Sequence, residues 1–503
     1  MLYLKKKNMK KFLLLFLGLG LFAVSCSDKD DEPSEIVTIE LNSEVNDFVW
    51  KAMNYWYYWQ PEQANLADDR FATIDEFYSF LNGYGAPEDL YNAVKVPQDR
   101  FSFISDDYDN LISALGGTST TTGIEFTLTR LPSDSGNGVL GVVRYVWANS
   151  DAATKGIKRG DIFYAVNGTE LFADTDADGF ITSSNLDLLS ASTFTLNFGT
   201  IEEELFTPND VNIEVNRLEI TENPILIAKT LEVNATKIGY IMYNGFTRDN
   251  EDIIDDAFAK IKTEGATELV IDLRYNPGGS TGVANRIAAR ITGQFAGQPF
   301  IEYIYNSKRN GNFGSTDPFE SDYENTPLTS LGLTKVYVIT TGDTASASEL
   351  LINNLKPYIT VVQVGETTVG KNEFSITLLD NTAQTSDGYP PYAYYSQSVG
   401  LDGVNPNHKY ALQPICGTYA NADGFNDFAS GLEPDIAINE TLGNLGQLGD
   451  LEEPLLAKAI EDITGVTSKS LKSVVPESMK TEFVGSSLRL KKYNDMVLIR
   501  DFN

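Results

Sequence analysis

KVYVITTGDTASASELLINNLK, Lys335–Lys356, decides how this chain is built. Lys335–Thr340 is a nearly unbroken apolar and β-branched run, the pattern of a strand covered on both faces. Thr341-Gly342-Asp343 has turn chemistry. After alternating small residues, Leu350, Leu351 and Leu355 return at helical spacing. A strand therefore feeds a helix through a short turn carrying two serines.

The flanking sequence repeats the unit. KIGYIMYNGF (Lys237–Phe246) reads as a strand and DIIDDAFAKIKTEG (Asp252–Gly265) as an amphipathic helix. TELVIDLRYNPGG (Thr267–Gly279) is a buried strand ending in a glycine turn, VANRIAARITG (Val283–Gly293) a helix, and ITVVQVGETTVGK (Ile359–Lys371) another strand with its loop. Strand–helix alternation predicts an α/β core, residues 216–465, with a largely parallel sheet. Sites in such sheets lie in the loops after the strands' carboxyl ends, which here are NPGG, GDTAS and GETTVGK.

Those loops hold residues suited to acyl transfer. Ser346 sits where strand turns into helix, and the N–H of Ala347 points into the same space at the helix N-terminus. Lys371 follows one strand later, at the same edge of the sheet. Histidine is the usual base for a serine, but His408 is the only one in 503 residues, and in NPNHKY it reads as a solvated loop residue. Burial can lower a lysine's pKa toward neutrality, and Val369 and Gly370 bring no counter-charge, so the base predicted is Lys371. Gly278 and Gly279 let backbone N–H groups approach a substrate and, with Ala347, would form an oxyanion hole. Each motif also has an ordinary reading, as helix cap, surface lysine or tight turn.

The remaining chain divides into further domains. Residues 41–115 are helical and aromatic, with Phe48, Trp50, Tyr55, Trp56 and Trp59 expected in a core. Residues 117–215 show short period-two runs with Gly and Asn-Gly punctuation, a β-rich module. Its stretch VVRYVWANSDAATKGIKRGDIFYAVNGTEL (Val142–Leu171) resembles a PDZ domain. Residues 466–503 form a C-terminal extension in which SLRLKKYNDMVLIRDFN reads as a short β segment.

At the other end, MKKFLLLFLGLGLFAVSC (Met9–Cys26) has lysines, a short apolar run and small residues before a cysteine, the layout of a signal peptide over residues 1–25. Its Ala-Val-Ser-Cys end resembles a lipobox, predicting Cys26 as a lipidated N-terminus followed by an acidic tether, residues 26–40. The expected location is the envelope of a Gram-negative bacterium, as an outer-membrane lipoprotein facing periplasm or surface. With Cys26 lipidated only Cys416 remains, so no intramolecular disulfide is expected. A net charge of −32 opposes nucleic acid and anionic lipid surfaces.

DLRYNPGG, TASASELLINNLK and VGETTVGK, in this order after a PDZ-like module, resemble the C-terminal processing peptidases, a serine–lysine family. KIGYIMYNGF and FASGLEPDIAI (Phe428–Ile438) extend the resemblance over roughly 117–465. It implies a ClpP/crotonase-like α/β core and a serine endopeptidase without cofactor or metal. Ser346 would be nucleophile, Lys371 base, Ala347 with Gly278 or Gly279 the oxyanion donors, and Glu349 and Thr368 supporting groups. It also implies that the PDZ-like domain captures C-terminal ends of protein substrates, and the nearest loop is Gly123, Ile124 and Phe126, with Glu125 an acid close to where a carboxylate would bind. Three positions depart from the pattern: Thr344 replaces a serine, Asn372 a glycine, and Pro357 an aspartate some members carry, leaving a dyad. The rival readings are a catalytically silent binding lipoprotein and a hydrolase of other esters or amides.

Overall fold

A computed structural model describes residues 38–130, 136–177, 181–202, 205–381, 400–466 and 481–490. The signal segment, Cys26 and most of the acidic tether lie outside the described residues.

The helical region begins with α1 (Glu44–Trp56), α2 (Ile74–Asn82), α3 (Pro87–Val94) and α4 (Tyr108–Leu115). Ser43, Thr73 and Asp107 cap three of these by accepting backbone N–H groups, and each first turn carries acids that suit the positive end of the helix dipole. Phe48 and Trp56 are fully buried, while Trp50, Tyr55 and Trp59 pack against the same cluster. That cluster continues through Phe258, Leu273, Ile287 and Leu350 of the α/β core. The helical region thus shares one hydrophobic core with the α/β sheet.

The β-rich region is built on β1 (Ile124–Arg130), β2 (Leu140–Val146), β3 (Ile162–Val166), β4 (Thr193–Glu202) and β5 (Leu205–Asn216), antiparallel in the order β5-β4-β3-β2-β1. Its own core gathers Phe126, Leu128, Phe163, Leu196 and Phe198.

The third layer is the six-stranded sheet β6 (Ile225–Val233), β7 (Thr236–Tyr243), β8 (Glu268–Asp272), β9 (Lys335–Thr340), β10 (Thr360–Gly365) and β11 (Ile436–Ala437), paired in that sequence. Only the β6–β7 pair is antiparallel. α5 (Glu251–Thr263), α6 (Thr281–Thr292) and α7 (Ala347–Leu355) follow β7, β8 and β9, and α8 (Pro454–Thr464) packs on the sheet from the C-terminal side. Strands β7 to β9 are buried along nearly their whole length, which is why they read as continuous apolar runs. The mixed α/β class expected from the sequence is the one observed.

The C-terminal extension departs from expectation. Its strand is β12 (Glu482–Ser486), which pairs antiparallel with β1, and Ser487–Leu490, expected as β, is a helical turn. Residues 491–503 lie outside the described residues.

Candidate active site

The loops after β8, β9 and β10 meet at one edge of the sheet, because three adjacent parallel strands end there. Asn276 ties the first to the second: its carbonyl accepts from Ala345 N–H and from Ser348 Oγ, both at 3.1 Å. Val369 N–H donates to Thr344 O at 3.0 Å and joins the second to the third. Glu349 makes the tightest link. Its carboxylate accepts from the N–H of Ser346 (2.7 Å), Gly370 (2.6 Å) and Lys371 (2.8 Å) and from the Thr368 hydroxyl. Burial pushes the Glu349 carboxyl up and these four donors pull against it. Thr368 Oγ1 in turn accepts from Leu432 N–H at 2.8 Å.

Ser346 occupies an unusual backbone conformation, φ 53° and ψ −109°, at the start of α7. A non-glycine residue held there stores strain that its surroundings must overcome. They do so through Glu349 on its N–H and the Tyr419 hydroxyl, which donates to Ser346 O (3.1 Å) and Lys371 O (2.9 Å). Ala347 opens the helix, so its N–H has no intrahelical acceptor.

Of the two candidate glycines, Gly278 directs its N–H to Asn276 Oδ1 at 2.7 Å, within its own loop. Gly279 adopts φ 138°, and a Cβ there would lie 2.2 Å from Phe246 O. The close approach expected of this loop is therefore made to Phe246, and Gly279 is the better placed of the pair for a substrate oxygen.

Lys371 is 1 % exposed and Ser346 8 %. The lysine Nζ lies over the Phe101 ring, and Arg100 Nη2 donates to Gly370 O at 2.6 Å. Both come from the helical region, which sequence spacing gave no reason to place here. Val369 and Gly370 bring no charge, but a carboxylate further along the loop does act on the lysine. Glu373, two residues on, is pushed up by burial and pulled down by Lys371 and Arg100.

His408 is also corrected. It is not solvated: its side chain is 8 % exposed, and Nε2 lies 3.1 Å from Asp380 Oδ2. Its ring neighbours are Phe48 of the helical region and Tyr410, two residues along its own loop. Cys416 is a buried free thiol, pushed up by that burial.

Gly123, Ile124 and Phe126 do not present an open groove. The Ile124 and Phe126 side chains belong to the β-rich core, Gly123 O accepts from Trp147 N–H at 2.8 Å, and Phe126 N–H donates to Ser487 Oγ at 2.9 Å. A buried ion pair joins this region to the loop that leads to Ser346, Arg144 Nη1 to Asp343 Oδ2 at 2.5 Å.

Residues 237–410 match the family model "Peptidase family S41" and residues 44–103 match "Peptidase S41 N-terminal domain". These two stretches carry the sequence pattern of peptidase family S41. The chain is 31 % identical over 210 residues to a carboxyl-terminal-processing protease of Picosynechococcus, a match covering 40 % of this chain and 46 % of the relative. It is 26 % identical over 316 residues to a chloroplastic C-terminal processing peptidase of Tetradesmus obliquus, covering 58 % and 60 %. The chain thus spans about half the length of these curated relatives. A solved structure from Bacteroides fragilis, titled as an S41 protease, superposes with a TM-score of 0.63 at 24 % identity over 84 % of this chain and 98 % of that one, which shows a shared fold. The S41 N-terminal match contains Arg100 and Phe101, the two residues that reach the Lys371 loop.

Proposed function

We propose that this chain is a serine endopeptidase working through Ser346 and Lys371. The observation that carries the reading is the single carboxylate of Glu349, which holds the backbone of both residues at once. Neutral Lys371 would take the Ser346 hydroxyl proton as Oγ bonds to the peptide carbonyl carbon. The resulting oxyanion would face the N–H of Ala347 and of Gly279. Collapse would break the C–N bond, with the lysine returning the proton to the departing amine. Water would then hydrolyse the acyl-enzyme by the same proton route and restore Ser346. Burial of Lys371 favours the mechanism because it disfavours the ammonium form. No step calls for a cofactor.

Substrates would be proteins or peptides delivered in extended form. The family resemblance points to their C-terminal ends, with the PDZ-like sheet as receiver. The signal-like segment and Cys26 support a location on a Gram-negative outer membrane through a lipid anchor; Cys26→Ser should abolish palmitate incorporation.

The deciding experiment incubates unfolded protein with the wild type, Ser346→Ala, Lys371→Ala and Lys371→Arg, with fragments read by mass spectrometry. Cleavage should vanish in all three variants, since arginine keeps charge but cannot release a proton near neutrality. A fluorophosphonate that fails to label Ser346 in the wild type would move the silent binding lipoprotein ahead.

A further inference from the structure

One peptide group at the candidate site is held from behind. Ser346 gives its carbonyl and Ala347 its N–H to the same planar amide, and in a trans peptide the two point to opposite sides. The N–H side is the one the proposed mechanism turns toward the oxyanion. On the other side Ser346 O accepts twice, from Leu350 N–H at 2.7 Å and from the Tyr419 hydroxyl at 3.1 Å, which occupies both of its lone pairs.

Tyr419 is fixed in place by its own surroundings. It lies on the strand Ile415–Ala420, opposite Tyr303 of the strand Pro299–Tyr305. Its side chain, 1 % exposed, packs against Phe428, and its backbone N–H donates to Asn372 O at 3.3 Å. Burial pushes the phenol well above its ordinary range, and the carboxylates of Glu349 and Glu373 push the same way. The hydroxyl therefore remains a donor wherever the protein is folded and near neutrality. It has one hydrogen, which Ser346 O shares with Lys371 O, 2.9 Å away.

We infer that Tyr419 is a positioning residue for the oxyanion hole: by holding Ser346 O it fixes the plane of the Ser346–Ala347 amide and aims the Ala347 N–H at the developing charge. The inference rests on the peptidase reading and adds a residue to it. The torsion that rotates this amide is ψ of Ser346, and at −109° with φ 53° it lies outside the regions an L residue prefers. Such an amide relaxes unless something outside it holds it. Leu350 supplies one hold through the helix, and Tyr419 supplies the other from a different sheet. A donor on the carbonyl also polarises the amide and strengthens its N–H toward an acceptor. Tyr419 touches no reacting atom, so its loss weakens the hole without abolishing it.

The test is a double-mutant cycle in the full chain. Tyr419→Phe removes only the hydroxyl. Replacing Ala347 by lactic acid through nonsense suppression turns the amide into an ester, which deletes the N–H and keeps the shape. Two rates are read: fluorophosphonate labelling of Ser346 by intact mass, and kcat and KM on a labelled unfolded protein. Tyr419→Phe should lower labelling and kcat about tenfold with KM unchanged, and the ester should lower them about a hundredfold. The two changes together should be no slower than the ester alone, because no N–H is left to aim. Labelling and kcat unchanged in Tyr419→Phe overturn the inference. So do effects that multiply, since Tyr419 then acts through packing or through Lys371. If Tyr419→Phe fails to fold, p-aminophenylalanine at position 419 decides, because it restores a donor on the same ring: labelling within about threefold of the wild type supports the inference, and a folded protein that labels as slowly as the ester overturns it. A wild type that fails to label overturns the peptidase reading as well, whereas equal labelling of wild type and Tyr419→Phe overturns this inference alone.

Discussion

Lys371 Nζ lies 4.8 Å from the centre of the Phe101 ring. The aromatic face favours the ammonium, by about 1 kcal/mol in a partly desolvated setting, whereas a catalytic base must be neutral. Phe101→Leu removes that preference and should move the rise of the rate–pH profile about 0.7 unit toward lower pH. Initial rates on a labelled unfolded protein from pH 5 to 10 measure it. A lower rate with an unmoved profile would mean that Phe101 serves packing only.

Glu349 tests the coupling of the two loops. Glu349→Gln keeps the shape but substitutes a neutral amide that brings its own donors among three N–H groups. Charge-assisted bonds contribute roughly 1.5–3 kcal/mol each, so kcat should fall at least a hundredfold with KM nearly unchanged. Circular dichroism must show a folded protein, and a proportional rise in KM would instead indicate a damaged binding surface.

Arg144 and Asp343 form a buried pair, and removing one partner leaves the other uncompensated. Arg144→Met should destabilise by about 3–5 kcal/mol, while Arg144→Met with Asp343→Leu should recover much of it. Urea denaturation of the four proteins closes the cycle, and additive effects would show that the pair is not coupled.

Acid sensitivity should trace to Glu440. Burial pushes its carboxyl up, but the guanidiniums of Arg159 and Arg274 outweigh this and hold it down to about 2, from an ordinary 4.5. A depressed carboxylate stabilises the fold above its unfolded value and loses that contribution as pH falls from about 4.5 to 2. The amount is on the order of 3 kcal/mol. Glu440→Gln should flatten this part of the stability–pH curve relative to the wild type, and parallel curves would assign the acid limb to other groups.

The α/β core was legible because its signals are local: β9, its turn and α7 lie within Lys335–Lys356, and a strand's length brings Lys371 back to the same edge. What stayed hidden is long-range. Asp380 lies 28 residues from His408 and Tyr419 lies 73 from Ser346, and no periodicity reports such meetings. Phe101 and Arg100 fall inside residues 41–115, which read only as helical and aromatic, and nothing local ties them to Lys371. The extension misled through its apolar residues: Leu488 invited a strand, but the ladder is completed by Glu482–Ser486, where Gly485 would argue against one.

The Arg100 bond to Gly370 sets a limit on portability. The loop carrying the proposed base is braced from outside the segment that encodes it, by a region matched to a different family model. The α/β core therefore cannot be transplanted as a freestanding catalyst: a chimera built from residues 216–465 alone would inherit the chemistry and lose the brace. Selection acting on the base must act on residues 41–115 as well, so the two stretches should drift together, and a graft should carry both.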